Sequence, residues 1–227
     1  YHTVPVGGEL RGYMYNMQSH NTVLAFGAPI QPDCLFASKW GVLRPDTPVK
    51  TFATEERGCY VEAFHDAYTH SRHVRRILSC RKMGFLVRDE LIGGDRMPKE
   101  SIQRWHLFPD VNYKQTDGQT LLLEKNGTKA LLVWSGVPKL RIWRKKELYP
   151  SIVQEEEAIA PILDVHFKAD SFSPPGGLGS VVQDMLILDV TEGMVNIENV
   201  EEFCVLLMKD AQKGRLSEAL DRFCRLG

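Results

Sequence analysis

Short runs of alternating or β-branched residues, separated by Gly, Pro, Asp and Asn, recur along most of this sequence. They predict eleven strands, at residues 22–26, 49–53, 59–67, 73–80, 84–90, 102–108, 119–124, 129–134, 139–144, 160–168 and 181–190. No helical periodicity separates these runs before residue 195, which disfavours a βαβ architecture. We therefore expect a mainly β chain built from stacked antiparallel sheets, as in a β-sandwich.

Three of the connections carry residues that suit tight turns. They are IGGD at 92–95, TDGQ at 116–119 and KNGT at 125–128. Asp-Gly and Asn-Gly pairs favour two-residue hairpins because these residues tolerate positive φ, so we predict hairpins here. The NGT at 126–128 also matches an N-glycosylation acceptor, but we interpret it as the hairpin turn.

The pattern changes to a helical period near the end of the sequence. In NIENVEEFCVLLMKDAQKG the apolar residues recur at intervals of three and four, with Asn196 as the predicted N-cap and Gly214 as the predicted C-cap. A second helix is predicted in RLSEALDRFCRL. We therefore divide the chain into a β-sheet domain, 1–192, and a short helical hairpin, 193–227, packed on the sheets.

Composition excludes several classes of partner. The 227 residues are 43% hydrophobic and 25% charged, with a formal net charge of −1, which is typical of soluble globular domains and gives no general attraction for nucleic acid. No apolar run approaches the roughly 18 residues of a membrane span. The glycine-rich SPPGGLGS at 173–180 lacks the Gly-Lys-Ser/Thr ending of a phosphate-binding loop, so we expect a plain loop.

The cysteines and the first residues bear on localisation without fixing it. The five cysteines are odd in number and form no CxxC pair, which predicts reduced, mostly buried thiols and suggests the cytoplasm. The sequence opens without Met and without a recognisable targeting signal. We interpret the missing Met as the sign of a trimmed or excised upstream segment.

Histidines are spread over several predicted strands, at His20, His65, His70, His73, His106 and His166. His65 and His73 flank a predicted hairpin, and imidazoles that converge in space could form a zinc site. Because side chains alternate along a strand, His73 and Arg75 share one face while Arg76 points the other way. This arrangement predicts an internal pair between this strand and Asp89.

One strand carries a basic cluster around an aromatic residue. In LRIWRKKE, residues 140–147, the cluster comprises Arg141, Arg144, Lys145 and Lys146 around Trp143. Such a surface could lie along an anionic sugar chain. We prefer the other interpretation, in which the cluster is a solvated strand end.

Five motifs, taken in order, resemble a known family. They are SHNTVLAFG followed by Gln31, then FHDAY at 64–68, HVRRIL at 73–78, FLVRDEL at 85–91 and WHLFP at 105–109. Each motif is weak alone, but their order is similar to that of the C-terminal β-sheet domain of heparinase II/III-like polysaccharide lyases. The likeness covers residues 11 to about 110, and the sheet pattern continues to about 190.

The resemblance implies a fold and a chemistry. Members of this family pair an N-terminal α/α toroid with the β domain, and they cleave uronic-acid-containing polysaccharides by β-elimination. The resemblance places most catalytic residues on the toroid, which this chain lacks, so we name no catalytic residue here. The expected partners are an anionic polysaccharide and the toroid of the parent protein, a carbon–oxygen lyase. The chain alone is expected to be inactive.

The resemblance also assigns roles near the start of the chain. It makes His20, in HNTV, one ligand of a zinc ion, and it makes Arg11, Tyr13 and Tyr15 candidates for substrate contact. The other zinc ligands of the family come from an HxHxD motif and an aspartate upstream, which do not occur here. The zinc site is therefore expected to be incomplete unless other side chains substitute, the candidates being His65, His106 and Asp33.

Two hypotheses of function follow. The first is the β domain of a polysaccharide lyase, active only with its toroid. The alternative is a non-catalytic carbohydrate-binding or scaffolding β-sandwich that kept the lyase-domain sequence. Neither the particular polysaccharide nor the oligomeric state follows from these residues.

Overall fold

The computed structural model describes residues 20–25, 48–94, 98, 100–150, 155–168, 179–193, 195 and 197–226. Within these residues the chain forms twelve strands: β1 Val23–Ala25, β2 Val49–Glu55, β3 Gly58–Tyr68, β4 Ser71–Cys80, β5 Gly84–Gly93, β6 Glu100–His106, β7 Asn112–Gln115, β8 Thr120–Lys125, β9 Thr128–Trp134, β10 Lys139–Pro150, β11 Glu155–Lys168 and β12 Gly179–Asp189. Two helices follow, α1 Val200–Gln212 and α2 Leu216–Cys224.

The strands form two sheets. The small sheet has the order β1-β6-β11-β10, and the large sheet has the order β2-β3-β4-β5-β12-β9-β8-β7. Every pairing between described strands is antiparallel. The predicted fold class, a mainly β chain of stacked antiparallel sheets with a C-terminal helical hairpin, is therefore confirmed.

All eleven predicted strands overlap an observed strand, and one observed strand was not predicted. This strand, β7, has the sequence NYKQ and is exposed at all four positions. When both faces of an edge strand are exposed to solvent, its side chains need not alternate in polarity, and the sequence shows no period-2 pattern. The hairpin of β10 and β11 is also longer than predicted, since it pairs as far as Pro150 with Glu155.

Two of the three predicted hairpins are confirmed and one is wrong. KNGT joins β8 to β9 through Asn126 and Gly127, whose φ values are 50° and 82°, and TDGQ joins β7 to β8. IGGD instead leads from β5 in the large sheet to β6 in the small sheet. The partners of β5 are β4 and β12, so the glycines of IGGD begin a crossover between layers rather than a tight turn.

The molecule has three layers, with the large sheet in the middle. Neighbouring residues of β12 face opposite ways: Met185 packs with Trp134 and Leu163 against the small sheet, whereas Leu186 packs with the helices, including Leu207 and Phe223. The helices therefore cover one face of the large sheet and the small sheet covers the other. Among the described residues, α1 and α2 have 13 and 9 residues, and neither qualifies as a membrane-spanning helix.

The boundaries of the helices differ slightly from those predicted. The N-cap of α1 is Asn199, whose side chain accepts a hydrogen bond from the Glu202 N–H, and not Asn196, which lies outside the described residues. Asn199 and Glu202 form a reciprocal capping pair, because the Asn199 amide also donates to the Glu202 carboxylate at 3.1 Å. The C-cap is Lys213 rather than the predicted Gly214, which follows it with a φ of 76°, as suits a glycine just after a helix.

Candidate functional site

The residues predicted to touch substrate cannot be placed by the structure. Arg11, Tyr13 and Tyr15 lie outside the described residues, and so does Asp33, one candidate substitute ligand for zinc. Their roles stay predictions. The described part of the same region begins at His20, which leads directly into β1.

The HNT segment, which we define as His20, Asn21 and Thr22, is held against the edge of the small sheet. The backbone N–H of His106 donates to Asn21 Oδ1 at 2.7 Å, and the backbone N–H of Arg104 donates to the Thr22 carbonyl at 2.8 Å. His20 and Asn21 are themselves exposed. The asparagine therefore fixes the backbone next to His20 while leaving this face of the segment open to solvent.

A second tether reaches the HNT segment from the large sheet. Arg75 Nη1 donates to the Asn21 carbonyl at 2.6 Å, and the Arg75 guanidinium lies 5.4 Å from the centre of the Trp105 ring. The other nitrogens of Arg75 bind Asp89 as a bidentate pair, at 2.7 and 2.8 Å. One arginine thus connects the two sheets at the point where the segment begins.

Asp89 is the centre of a buried network. Its side chain has no exposed surface, and its two oxygens accept four hydrogen bonds, two from Arg75, one from His73 Nε2 at 2.8 Å and one from Gln103 Nε2 at 2.7 Å. Burial alone would raise the pKa of this carboxyl. The Arg75 guanidinium and these hydrogen bonds outweigh burial and hold the pKa of Asp89 far below its usual range. The predicted internal pair with Asp89 is confirmed.

The network continues through two histidines. His65 Nε2 lies 3.0 Å from His73 Nδ1, and the two residues are register partners on β3 and β4. The backbone N–H of Ala67 donates to His65 Nδ1 at 3.3 Å, so the proton of His65 is assigned to Nε2. All donors then point the same way, from Ala67 through His65 and His73 to Asp89.

This arrangement determines what the histidine pair can do chemically. Both ring nitrogens of His65 and of His73 are occupied by hydrogen bonds to the protein. Burial, with the nearby His73, lowers the pKa of His65 to about 4. Neither ring presents a free nitrogen to a substrate, so the pair supports the structure rather than acting as a general base.

The lowered pKa of His65 predicts a loss of stability in mild acid. The unfolded state takes up a proton near the ordinary pKa of 6.5, while the folded state resists it down to about pH 4. We expect the free energy of unfolding to fall as pH falls between these values, by up to about 3 kcal/mol for this one group.

The contribution of His65 can be isolated by a neutral substitution. Urea unfolding at a series of pH values should show a shallower decline for His65→Gln than for the original chain between pH 6.5 and about 4. Identical slopes in the two proteins would contradict the assignment.

The described residues do not fit a complete zinc site. They contain no group of three or more His, Cys, Asp or Glu side chains that could hold a metal ion. His65, one candidate substitute ligand, is bound to His73 and Ala67. Zinc coordination by His20 would therefore need ligands from outside the described part of the chain.

We expect His20→Ala to cost the isolated chain less than about 1 kcal/mol, as is usual for an exposed side chain. The neighbouring Asn21→Ala should cost more, because it leaves the His106 N–H without its acceptor. Thermal melts with metal analysis check this. Stoichiometric zinc in the isolated chain that is lost on His20→Ala would mean that other residues of the chain complete a site.

A second charged cluster, not predicted from the sequence, lies in the small sheet. Arg104 binds Asp164 as a bidentate pair at 2.6 and 2.7 Å, and both residues are buried. Trp143 Nε1 donates to Asp164 at 2.9 Å, and its ring lies beneath the Arg104 guanidinium. The Trp143 ring therefore packs within the small sheet, whereas Arg141 and Arg144 are exposed to solvent. This exposure is compatible with the preferred interpretation, a solvated strand end, and leaves the alternative, a surface for an anionic sugar chain, untested.

Two stacked antiparallel sheets with a segment clamped at one edge define a β-sandwich domain, and comparison with known proteins gives its family. A family model, "Heparinase II/III-like, C-terminal", matches residues 1–171. The chain therefore belongs to this family, which confirms the resemblance drawn from its motifs. The helices lie beyond the matched range.

Solved structures share the same fold. The heparinase III BT4657 gene product with methylated lysines is 13% identical, with a TM-score of 0.61, over 87% of this chain and 29% of that one. The heparan sulfate lyase HepC from Pedobacter heparinus is 16% identical, with a TM-score of 0.57, over 88% of this chain and 30% of that one. The present chain thus spans about 30% of the length of these structures. No curated protein sequence matches it.

Proposed function

We propose that this chain is the C-terminal β domain of a polysaccharide lyase that cleaves uronic-acid-containing polysaccharides by β-elimination. The observation that carries the proposal is the match of the heparinase II/III-like C-terminal model to residues 1–171. The likeness in fold to a heparan sulfate lyase supports it. The partners of the domain are an anionic polysaccharide and an N-terminal α/α toroid outside this sequence.

β-Elimination makes three chemical demands. A base removes the proton at C5, the charge of the uronate carboxylate is neutralised, and an acid protonates the leaving glycosidic oxygen. In this proposal the base and the acid come from the toroid. Arg11 binds the uronate carboxylate, and Tyr13 or Tyr15 contacts the sugar.

The buried network has a supporting role in this proposal. Arg75 and Asp89 fix the Asn21 backbone, and Asn21 in turn is bonded to the backbone of His106. The exposed His20 is thereby held at the edge of the small sheet, where the toroid would contact it. A rigid support of this kind is what a binding site between two domains requires.

We expect the isolated 227-residue chain to release no unsaturated uronate from heparin, heparan sulfate or alginate, because in this proposal the toroid supplies the acid and the base. The measurement is the ultraviolet absorbance of the C4–C5 double bond formed on cleavage. Turnover by the purified chain would contradict the proposal and would require a complete acid and base set within it. The residues to test first would then be Tyr13, Tyr15 and His20.

In the alternative function, carbohydrate binding without catalysis, the sugar chain would occupy a cavity at the far end of the small sheet. It has a volume of about 500 Å³ and is lined by polar side chains that include Glu100, Lys139 and His166. Because β6 runs from Glu100 to His106, this cavity and the HNT segment lie at opposite ends of the strand. A carbohydrate-binding module without catalysis would use such a cavity. It would bind a sugar chain that the complete protein leaves uncut.

A further inference from the structure

Two cysteine thiols from distant parts of the chain lie in contact. Cys80 is the last residue of β4 and Cys224 is the last residue of α2. Their sulfur atoms are 3.2 Å apart, although 144 residues separate them in sequence. Cys80 is buried and Cys224 is half-buried.

The contact follows from how closely α2 approaches the large sheet. Gly58 is the register partner of Cys80, and a Cβ atom at Gly58 would lie 2.8 Å from Leu220 Cδ2. The missing side chain therefore lets Leu220 sit directly over β3. Cys224 follows Leu220 by one helical turn, which places it over the neighbouring strand β4 and Cys80.

An ion pair fixes α2 in this position. Arg57, in the turn before β3, binds Asp221 and also donates to the Ser217 carbonyl at 3.5 Å. A further hydrogen bond joins the Ser217 hydroxyl to Glu55 at 2.7 Å. Together with the packing of Leu220, these contacts hold the two sulfurs 3.2 Å apart, compared with about 2.05 Å in a disulfide bond.

We propose that Cys80 and Cys224 are a cross-linking site, at which a disulfide fastens the helical hairpin to the large sheet. In the reaction the Cys224 thiolate attacks a small-molecule disulfide and releases one thiol, which leaves a mixed disulfide on Cys224. The Cys80 thiolate then attacks the Cys224 sulfur and releases the second thiol. Two protein thiols are oxidised, their two protons pass to solvent or the leaving thiolates, and the external disulfide is reduced to two thiols.

The order of attack follows from exposure and charge. Cys224 is the more exposed of the two sulfurs, so it meets the oxidant first. Burial and the adjacent Cys80 raise the pKa of Cys224, while the Arg57 guanidinium opposes this rise. The thiolate is the reacting species, so cross-linking should be faster above neutral pH.

The cross-link would restrict the conformations open to the unfolded chain. It closes a loop between residues 144 positions apart, which removes much of the conformational freedom of the unfolded state. We expect Tm to rise by about 10 °C on oxidation. In an oxidising compartment the disulfide would fasten the hairpin to the sheet, whereas in a reducing one only non-covalent contacts would hold it.

The experiment compares the full chain treated with oxidised glutathione with the same chain kept reduced by a phosphine. Oxidation should lower the mass by two hydrogen atoms, and digestion should yield a linked peptide containing Cys80 and Cys224. Both this peptide and the rise in Tm should be absent from Cys224→Ser and from Cys80→Ser. They should persist in the matched control Cys59→Ser, which alters a half-buried thiol on the adjacent strand β3.

Three results would overturn the proposal. One is glutathione that stays on Cys224 while Cys80 remains a free thiol, and another is a disulfide between a different pair. The third is a Cys80–Cys224 cross-link that leaves Tm unchanged, because the hairpin would then not be fastened by it.

Discussion

Asp89→Asn is expected to lower the free energy of unfolding by about 3–5 kcal/mol, the largest effect of any single polar substitution we consider. The substitution keeps the shape of the side chain and removes its charge. It leaves the guanidinium of Arg75, whose side chain is 20% exposed, without a counter-ion beneath the small sheet. It also weakens the bond from His73, because an amide oxygen is a poorer acceptor than a carboxylate. Urea unfolding at neutral pH measures the loss.

The matched control for Asp89 is Asp66, which also binds an arginine through two hydrogen bonds. Arg72 donates to it at 2.7 and 2.8 Å, but the two side chains are 48% and 51% exposed. Asp66→Asn should therefore cost less than about 1 kcal/mol. Equal losses for the two variants would show that the buried network contributes no more than a surface ion pair.

We expect Gly58→Ala to cost about 3 kcal/mol, because the new methyl group has no space. Its Cβ would lie 2.0 Å from the Ser79 carbonyl oxygen and 2.8 Å from Leu220 Cδ2. The first contact is with backbone and cannot be relieved by a change of rotamer, so β3 and β4 or the helix must shift. Denaturant unfolding tests this, and loss of the cross-link between Cys80 and Cys224 should accompany it.

Gly94 provides the control for the same substitution. A Cβ atom there would meet nothing within 4 Å, so Gly94→Ala should leave stability unchanged within about 0.5 kcal/mol. Equal losses of stability in the two variants would show that α2 does not approach the sheet closely at Gly58.

The strands were predictable because one face of most of them is buried. Alternation along β4 placed His73 and Arg75 on the same face and led to Asp89, and the structure has all three in contact. Where both faces are exposed to solvent, as in β7, the alternation of polar and apolar residues is absent. The assignment of strands to sheets was also beyond sequence reasoning, because Gly and Asp permit the crossover after β5 as readily as a hairpin.

The details of the candidate site required three-dimensional contacts. Gln103, on the small sheet, donates the fourth hydrogen bond to Asp89, and no pattern in the sequence around Gln103 predicts this contact. The direction of the hydrogen bonds through His65 depends on a backbone N–H two residues away. The pairing of Cys80 with Cys224 spans 144 residues and arises from the packing of α2. The sequence therefore indicated the family and the pair with Asp89, whereas the role of Gln103 and the pairing of the two cysteines emerged only from the fold.

If this domain serves a lyase, the complete protein should release unsaturated products from a uronic-acid-containing polysaccharide. The protein encoded by the complete reading frame should be incubated with heparin, heparan sulfate and alginate beside the chain of residues 1–227. Ultraviolet absorbance from unsaturated uronate should accumulate with the complete protein on at least one of these substrates and not with the isolated chain. Cleavage by the complete protein that yields only saturated chain ends, or binding without any cleavage, would contradict the lyase proposal.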